Sequence, residues 1–231
     1  MRNKPDYPHQ YRPKKISQVY GQKNIKRIVA KGLDEGLMPN ALMFHGPSGT
    51  GKTTVCRIVG MGLNCIKGRS SEPCGECEIC KSVMRDSQLA YYELNTANMA
   101  GVDFIRDLRG QFHTAPWDPA EYKIFVFDEC HRLSKEAQTL LLKEVEDGIS
   151  IVYFIFCSTD PGKILKTLQN RCMPFEFKRI PPCEMRRLLH DVCQKERVEY
   201  IPEVLDQIVK ESDGLARNAL YLLQQKVLLL T

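Results

Sequence analysis

The residues best suited to chemistry form a glycine-rich run, GPSGTGKTT, at positions 46–54. Its spacing is G-x-x-x-x-G-K-[ST], in which the glycines let backbone N–H groups turn inward around phosphate oxygens. Lys52 can reach the β- and γ-phosphates, and the Thr53 hydroxyl can hold Mg²⁺ at the positive end of the following helix. The alternative is a glycine turn before a core helix. Because an apolar run precedes the loop and a helical pattern follows it, the sequence predicts a nucleoside triphosphate site.

Two adjacent carboxylates, Asp128 and Glu129, directly follow the apolar run 124–127. Such a run is typical of a central parallel strand buried on both faces, and ligands bind at the carboxyl edge of these sheets. Asp128 can hold the magnesium ion of the nucleotide, and Glu129 can polarise a water for in-line attack on the γ-phosphate. The alternative is a pair of solubilising acids.

A second polar strand end follows the apolar run 151–157, where Ser158, Thr159 and Asp160 lie in sequence. A hydroxyl at this edge can hydrogen-bond the γ-phosphate or its attacking water, and a simple strand-end cap is the alternative. Further along, Arg171 precedes a last short strand and by itself is an ordinary surface arginine.

Four cysteines lie in a polar, turn-rich insertion at about 64–84: Cys65, Cys74, Cys77 and Cys80. Two-residue spacings let consecutive thiolates face one tetrahedral ion, which predicts a closed structural Zn²⁺ site. An iron–sulfur cluster and free thiols in a surface loop are the alternatives. The remaining six cysteines are predicted to be small core residues: Cys56, Cys130, Cys157, Cys172, Cys183 and Cys193.

Hydrophobic periodicity predicts alternating strands and helices up to about residue 178, and only helices after it. The expected strands are 41–44, 89–95, 124–127, 151–157 and a short one after Arg171. The expected helices are 24–38, 55–63, 102–112 and 135–147, then three more within 183–198, 201–214 and 215–230. This pattern predicts an α/β domain with a parallel sheet over 1–179, followed by a small helical domain over 180–231.

The composition is ordinary for a globular protein: 43% of the 231 residues are hydrophobic, 26% are charged and the net charge is +5. No stretch approaches the roughly 20 apolar residues that span a bilayer, and the N-terminus has no apolar signal core. We therefore expect no membrane association and a location in the bacterial cytoplasm, with either a bacterial or a phage gene. The basic N-terminal region is compatible with a nucleic-acid or nucleotide partner.

Together these motifs resemble the gamma/tau subunits of bacterial DNA polymerase III, which are clamp-loader ATPases of the AAA+ class. YRPKKISQVYGQ is similar to the family's N-terminal nucleotide-binding box, GPSGTGKTT to its Walker A loop and FDECHRLS to its Walker B strand. STDPGK, QNRC and GLARNAL resemble sensor one, the trans-acting arginine segment and sensor two, respectively. The four-cysteine insertion stands at the family's zinc-module position. The resemblance covers nearly the whole chain.

The resemblance implies an AAA+ P-loop NTPase domain with a zinc-module insertion, then a three-helix lid, with ATP, Mg²⁺ and Zn²⁺ as cofactors. The implied catalytic residues are Glu129, Lys52 and, entering a neighbouring subunit's site, Arg171. Thr53 and Asp128 are the implied magnesium ligands, and the four clustered cysteines the implied zinc ligands. The implied ATP-binding residues are Tyr11, Arg12, Pro13, Val19, Gly46, Pro47, Ser48, Gly49, Thr50, Gly51, Lys52, Thr53, Thr54, Thr159 and Arg217.

The implied function is ATP-driven opening and loading of a sliding clamp onto primer–template DNA. The implied partners are other clamp-loader subunits in a homo- or hetero-oligomeric ring, the sliding clamp and DNA. The chain departs from the family in four places, one of which is EVEDG at 144–148, where the family usually has E-E-P. The chain ends just after the lid, before the family's collar domain, so we expect a short form. Asn170 replaces a serine, and NMAG at 98–101 replaces basic residues, which leaves Arg106 as the candidate DNA contact. The alternatives are a non-motor protein that joins or competes with a replication complex, and an unrelated AAA+ loader.

Overall fold

The computed structural model describes residues 6–85, 87, 89–96 and 101–229, which form a five-stranded parallel sheet flanked by helices. The strands are β1 (Ala41–His45), β2 (Tyr91–Asn95), β3 (Lys123–Asp128), β4 (Val152–Ser158) and β5 (Met173–Glu176). Their order across the sheet is β2-β3-β4-β1-β5, and every neighbouring pair is parallel. The predicted α/β class is confirmed.

Ten α-helices occur within the described residues. They are α1 (Tyr7–Gln10), α2 (Lys23–Asp34), α3 (Lys52–Asn64), α4 (Glu78–Arg85), α5 (Val102–Phe112), α6 (Lys135–Asp147), α7 (Lys166–Arg171), α8 (Pro182–Glu196), α9 (Pro202–Glu211) and α10 (Ala216–Leu228). The sequence pattern indicates all of these except the short helices α1, α4 and α7. Ser134 caps α6, because its hydroxyl accepts from the amide of Ala137.

The order of the strands decides which residues meet at the carboxyl edge of the sheet. β4 lies between β1 and β3, with His45 opposite Ser158 and Phe127 opposite Phe156. Because parallel strands end at the same edge, the phosphate loop after β1, the acids after β3 and the hydroxyls after β4 are neighbours. Fully buried aromatic side chains on β3 and β4, such as Phe125 and Phe154, pack against α5 and hold this edge in place.

The three C-terminal helices form a lid with its own apolar core, which includes Met185, Leu189 and Ile208. Tyr7 of α1 is buried in the same core, so the N-terminal segment packs against the lid. No helix among the described residues has both the length and the apolarity needed to span a bilayer.

Five of the six cysteines outside the four-cysteine insertion are buried as predicted, but Cys183 is exposed. Cys183 lies in the first turn of α8, directly after Pro182, and its side chain faces away from the lid core. An apolar side chain at this position has no opposing element to cover it.

Candidate nucleotide and metal sites

The phosphate loop leaves β1 through a turn that only glycine can make. Gly46 has a φ of +138°, and a Cβ atom there would lie 2.2 Å from the carbonyl oxygen of Phe177. Gly49 and Gly51 also have positive φ angles, of +79° and +103°. The loop feeds directly into α3, which begins at Lys52. Its backbone amides therefore lie at a helix N-terminus, where an anion is stabilised.

Lys52 is held inside this loop. Its Nζ donates to the carbonyl oxygens of Gly46 (2.8 Å) and Pro47 (3.0 Å), and only 6% of the residue is exposed. Burial lowers the pKa of Lys52, while nearby thiols and the carboxylates of Glu129 and Asp128 act in the opposite direction. A phosphate oxygen is a stronger acceptor than a carbonyl, so bound triphosphate would take over these donors.

Asp128 and Thr53 together offer oxygen ligands of the kind that Mg²⁺ prefers. The Thr53 hydroxyl lies 3.4 Å from one carboxylate oxygen of Asp128, and the other oxygen accepts from the amide of Glu129 at 3.0 Å. Burial raises the pKa of Asp128, and the neighbouring charge of Glu129 raises it further. A divalent cation would offset both effects. The two residues therefore fit the magnesium site that the sequence predicts.

Glu129 adopts a left-handed backbone conformation, with φ at +54°. Non-glycine residues in this conformation are uncommon and cluster at functional sites. One oxygen of its carboxylate, Oε2, accepts from the Thr159 hydroxyl at 3.0 Å and lies 3.3 Å from Nδ1 of His131. Ser158 instead is fully buried and contacts His131, also at 3.3 Å. Of the two candidate hydroxyls, the structure thus places Thr159 against Glu129.

A single cavity joins the phosphate loop to the N-terminal segment and the lid. The predicted residues that line it are Tyr11, Arg12, Pro13, Val19, Ser48, Gly49, Thr50, Gly51, Lys52, Thr53, Thr54, Asp128, Glu129 and Arg217. Gly46 and Pro47 form the base of the loop, and Thr159 reaches the cavity through Glu129. Sequence reasoning missed six lining residues: Pro8, Tyr20, Ile180, Leu188, Ala216 and Leu220. Ala216 and Leu220 are four residues apart in the helix that carries Arg217, and Tyr20 lies in the YRPKKISQVYGQ segment, so the sequence held a signal for these three. Nothing local indicates Pro8, Ile180 or Leu188.

Two arginines, Arg12 and Arg217, line this cavity, and a third, Arg57, lies near enough to act on Arg12. Burial lowers the pKa of Arg12, and the neighbouring charges of Arg57 and Arg217 add to that effect. Arg57 of α3 was not predicted, and its Nε donates to Glu93 at 2.8 Å. Like charges this close are stabilised by an anionic ligand, so the arrangement suits a triphosphate.

The lid lies directly on the phosphate loop. A Cβ atom on Gly49 would lie 3.6 Å from the Cβ atoms of both Leu215 and Arg217. The start of α10 is thus in van der Waals range of the loop. A nucleotide in the cavity would contact both parts of the chain, as the implied sensor role of Arg217 requires.

Two predicted residues lie away from the cavity. Arg171 ends α7, its side chain is 60% exposed, and its Nε donates to Glu146 at 3.1 Å. Arg106 on α5 is similarly exposed and pairs with Asp103 at 2.9 Å. Most of the NMAG segment, residues 98–100, lies outside the described residues.

The four clustered cysteines converge in the structure. Their sulfur atoms all lie within 4.8 Å of one another. Cys74 and Cys80 have sulfurs 3.9 Å apart, close to the roughly 3.8 Å that two thiolates on one tetrahedral zinc would show at a Zn–S distance of about 2.3 Å. Backbone amides of residues 74, 77 and 80 each donate to the sulfur of another cysteine in the cluster, at 3.4 Å.

The amide–sulfur bonds favour the thiolate form of Cys74, whereas burial raises the pKa of Cys80. At Cys74, burial raises the pKa, but hydrogen bonds from the amides of Glu76 and Cys77 outweigh it and lower the pKa to about 6. Gly75, with φ at +72°, supplies the tight turn that aims both amides at one sulfur. Four sulfurs with no open position fit a structural zinc ion.

Comparison with known proteins identifies the family. The sequence model of the family described as "DNA polymerase III, delta subunit" matches residues 21–181. The chain belongs to this family. The gamma/tau subunit of Mycobacterium tuberculosis (strain H37Rv) is 35% identical over 217 residues, which are 93% of this chain and 37% of that protein. The resemblance to clamp-loader gamma/tau subunits is confirmed.

Other relatives agree. The Bacillus subtilis (strain 168) tau subunit is 35% identical over 94% of this chain and 38% of its own length. The Escherichia coli (strain K12) tau subunit is 31% identical over 94% of this chain and 34% of its own length. The chain thus spans little more than a third of the length of these relatives.

Solved structures support the fold alone. A point variant of Thermotoga maritima RuvB aligns with a TM-score of 0.69 at 21% identity, over 95% of this chain and 67% of that one. A second T. maritima RuvB structure, titled a Holliday junction branch migration motor, has a TM-score of 0.68 with the same identity and coverage. The predicted AAA+ fold is confirmed.

We expect this family member to purify with one zinc ion per chain. Cys77→Ser should abolish stoichiometric zinc and cost at least about 2 kcal/mol, or roughly 4–8 °C in Tm. Cys183→Ser is the matched control, because that thiol is exposed and outside the cluster. Metal analysis and thermal melts test both variants. Full zinc content in Cys77→Ser would contradict the four-sulfur site.

Proposed function

We propose that the chain is an ATP-driven clamp-loader subunit, which helps to open a sliding clamp and load it onto primer–template DNA. The observation that carries the proposal is the convergence on one cavity of Lys52, Thr53, Asp128 and Glu129 with Arg217 of the lid. Membership of a DNA polymerase III subunit family supplies the replication context. An ATP-dependent motor needs a hydrolysis site and a second part of the chain that responds to the bound nucleotide. The cavity joins the phosphate loop to such a part, the lid.

Each residue of the cavity has a distinct task in this proposal. The loop amides and Lys52 bind the β- and γ-phosphates, and Thr53 and Asp128 hold Mg²⁺. The ion, when bound, neutralises negative charge on the phosphates. Glu129 orients the attacking water and accepts its proton, while Thr159, whose hydroxyl donates to Glu129 in the free chain, would donate to the γ-phosphate once nucleotide is bound.

Assembly would complete the site. Arg171 is exposed and away from its own cavity, so it is available to stabilise transition-state charge in the site of an adjacent subunit. Arg217 would report the nucleotide to the lid and so couple binding to subunit arrangement. The proposed partners are other clamp-loader subunits in a ring, the sliding clamp and primer–template DNA. Arg106 is the proposed DNA contact in the described part of the chain.

The deciding experiment measures ATP hydrolysis by the chain together with the other clamp-loader subunits. We expect the sliding clamp plus primed DNA to stimulate the rate, and Lys52→Ala to remove it, which controls for contaminating ATPases. A hydrolysis rate that is the same with and without the clamp and primed DNA would contradict the proposal. Association with the subunits without stimulated hydrolysis would favour the non-motor alternative.

A further inference from the structure

The segment that we call the strap, residues 8–20, forms one wall of the nucleotide cavity. Its cavity-lining members are Pro8, Tyr11, Arg12, Pro13, Val19 and Tyr20. The strap has little regular structure, with the last three residues of α1 and one short 3₁₀ turn at Ile16–Gln18. Its position must therefore be set by the elements that it contacts.

On one side the strap is bonded to the lid. The Tyr11 hydroxyl donates to Glu196 and the Tyr20 hydroxyl donates to Asp191, both on α8. The backbone amide of Tyr7, just before the strap, donates to the side chain of Gln224 on α10 at 2.9 Å. These contacts alone would make the strap move with the lid.

On the other side the strap is bonded to the zinc module at Ser17. The Ser17 amide donates to Oε1 of Glu72 at 2.8 Å, and its hydroxyl donates to Oε2 at 2.7 Å. One carboxylate thus holds both donors of one residue, and hydrogen bonds to a charged acceptor are the stronger kind. The neighbouring amide of Ile16 donates to the carbonyl of Ser71 at 3.1 Å.

The segment that carries Glu72 is itself well anchored. Asp34 at the end of α2 accepts from both the amide (2.7 Å) and the hydroxyl (3.0 Å) of Ser71. The amide of Ser70 donates to the carbonyl of Gly62 in α3 at 3.1 Å. The residues just before Glu72 are thus hydrogen-bonded to two helices of the nucleotide-binding domain. Glu72 itself lies two residues before Cys74 of the cysteine cluster.

The strap and the cysteine cluster also share one apolar core. Ile16 and Val19 are buried in the same cluster of side chains as Cys65 and Cys80. Val19 faces the nucleotide cavity two residues after Ser17. A displacement of Ser17 would therefore move a residue that lines the cavity.

We propose that Glu72 is a positioning residue for nucleotide binding. By holding Ser17, it keeps the strap against the nucleotide-binding domain while the lid moves, so that the cavity wall is preformed for ATP. The zinc module acts as the rigid support for this contact. The inference rests on the proposed function, since it requires that the cavity binds ATP.

The test compares the Kd for a fluorescent, non-hydrolysable ATP analogue in two variants of the zinc module. Glu72→Ala is expected to weaken binding by about 3- to 10-fold, the loss of a bidentate charge-assisted contact on an exposed surface. Glu76→Ala is the matched control, because that exposed side chain also lies in the zinc module and pairs with Lys67 at 3.9 Å, and none of its hydrogen bonds or ion pairs among the described residues reaches the strap. It should bind as the wild type does, and both variants should keep one zinc ion.

A charge exchange separates positioning from general damage. Glu72→Lys and Ser17→Asp should each weaken binding, and the double variant should recover at least half of the loss on a logarithmic scale. Wild-type affinity in zinc-loaded Glu72→Ala overturns the inference. If Glu72→Ala loses zinc, the Kd of Ser17→Asp is used instead, because that substitution leaves the zinc module unchanged. Wild-type affinity in Ser17→Asp then overturns the inference. A wild-type chain that binds no ATP overturns the proposed function instead.

Discussion

Replacing Glu129 by glutamine is expected to lower kcat for ATP hydrolysis by about 10²- to 10⁴-fold while ATP binding is retained. The amide keeps the shape of the side chain but cannot accept a proton from the attacking water. Lys52, the proposed phosphate ligand, donates to the carbonyls of Gly46 and Pro47 and not to the Glu129 carboxylate in the described part of the chain. Steady-state hydrolysis by the assembled complex, together with the Kd for ATP, measures the two effects separately.

Glu211→Gln is the matched control for this substitution. Glu211 is an exposed residue at the end of α9 whose side chain bonds only to Gln207 of the same helix among the described contacts. Its removal should leave the hydrolysis rate unchanged. A Glu129→Gln variant that hydrolyses ATP within about threefold of the wild-type rate would exclude Glu129 as the base.

Replacing Arg171 by alanine is expected to lower stimulated hydrolysis by about 10³-fold or more without weakening ATP binding to the isolated chain. The reason is its position: the guanidinium is exposed, pairs with Glu146 and does not line its own cavity. Under the proposed function it therefore acts on the nucleotide of an adjacent subunit. Arg179→Ala is the control, because that arginine is also about half exposed and is paired with an acid, Asp213.

Mixing the two inactive variants distinguishes a contribution in trans from one in cis. A Glu129→Gln subunit still carries Arg171, and an Arg171→Ala subunit still carries Glu129. Where the former adjoins the latter, one complete site forms, so the mixture should regain part of the stimulated rate. No recovery, or an Arg171→Ala effect that appears equally in the isolated chain, would contradict the trans role.

Features determined within a few residues could be predicted from the sequence alone. The phosphate loop depends on glycines at fixed spacing before a helix, and Gly46 indeed has a conformation and a neighbour that admit no side chain. The cysteine cluster depends on two-residue spacings, and its four sulfurs converge. The parallel sheet follows from continuous apolar runs, which suit strands buried on both faces, and the three-helix lid follows from apolar residues at helical spacing.

The exposed position of Cys183 shows where this reasoning fails. Cysteine is a residue type that is often buried, but Cys183 lies between Pro182 and Glu184 in the first turn of a helix and is exposed. Whether a side chain is buried depends on which other element packs over it, and the neighbouring residues in the sequence do not specify that element.

The tertiary structure alone decided which distant residues meet. Insertion of β4 between β1 and β3 brings Thr159 to Glu129, and the packing of the lid brings Arg217 to Gly49. The Ser17–Glu72 contact joins positions 55 residues apart in the chain. Local propensities determine elements and loops, because they act over one turn or one strand. Contacts between elements depend on strand order and helix packing, which are set by the free energy of the whole core.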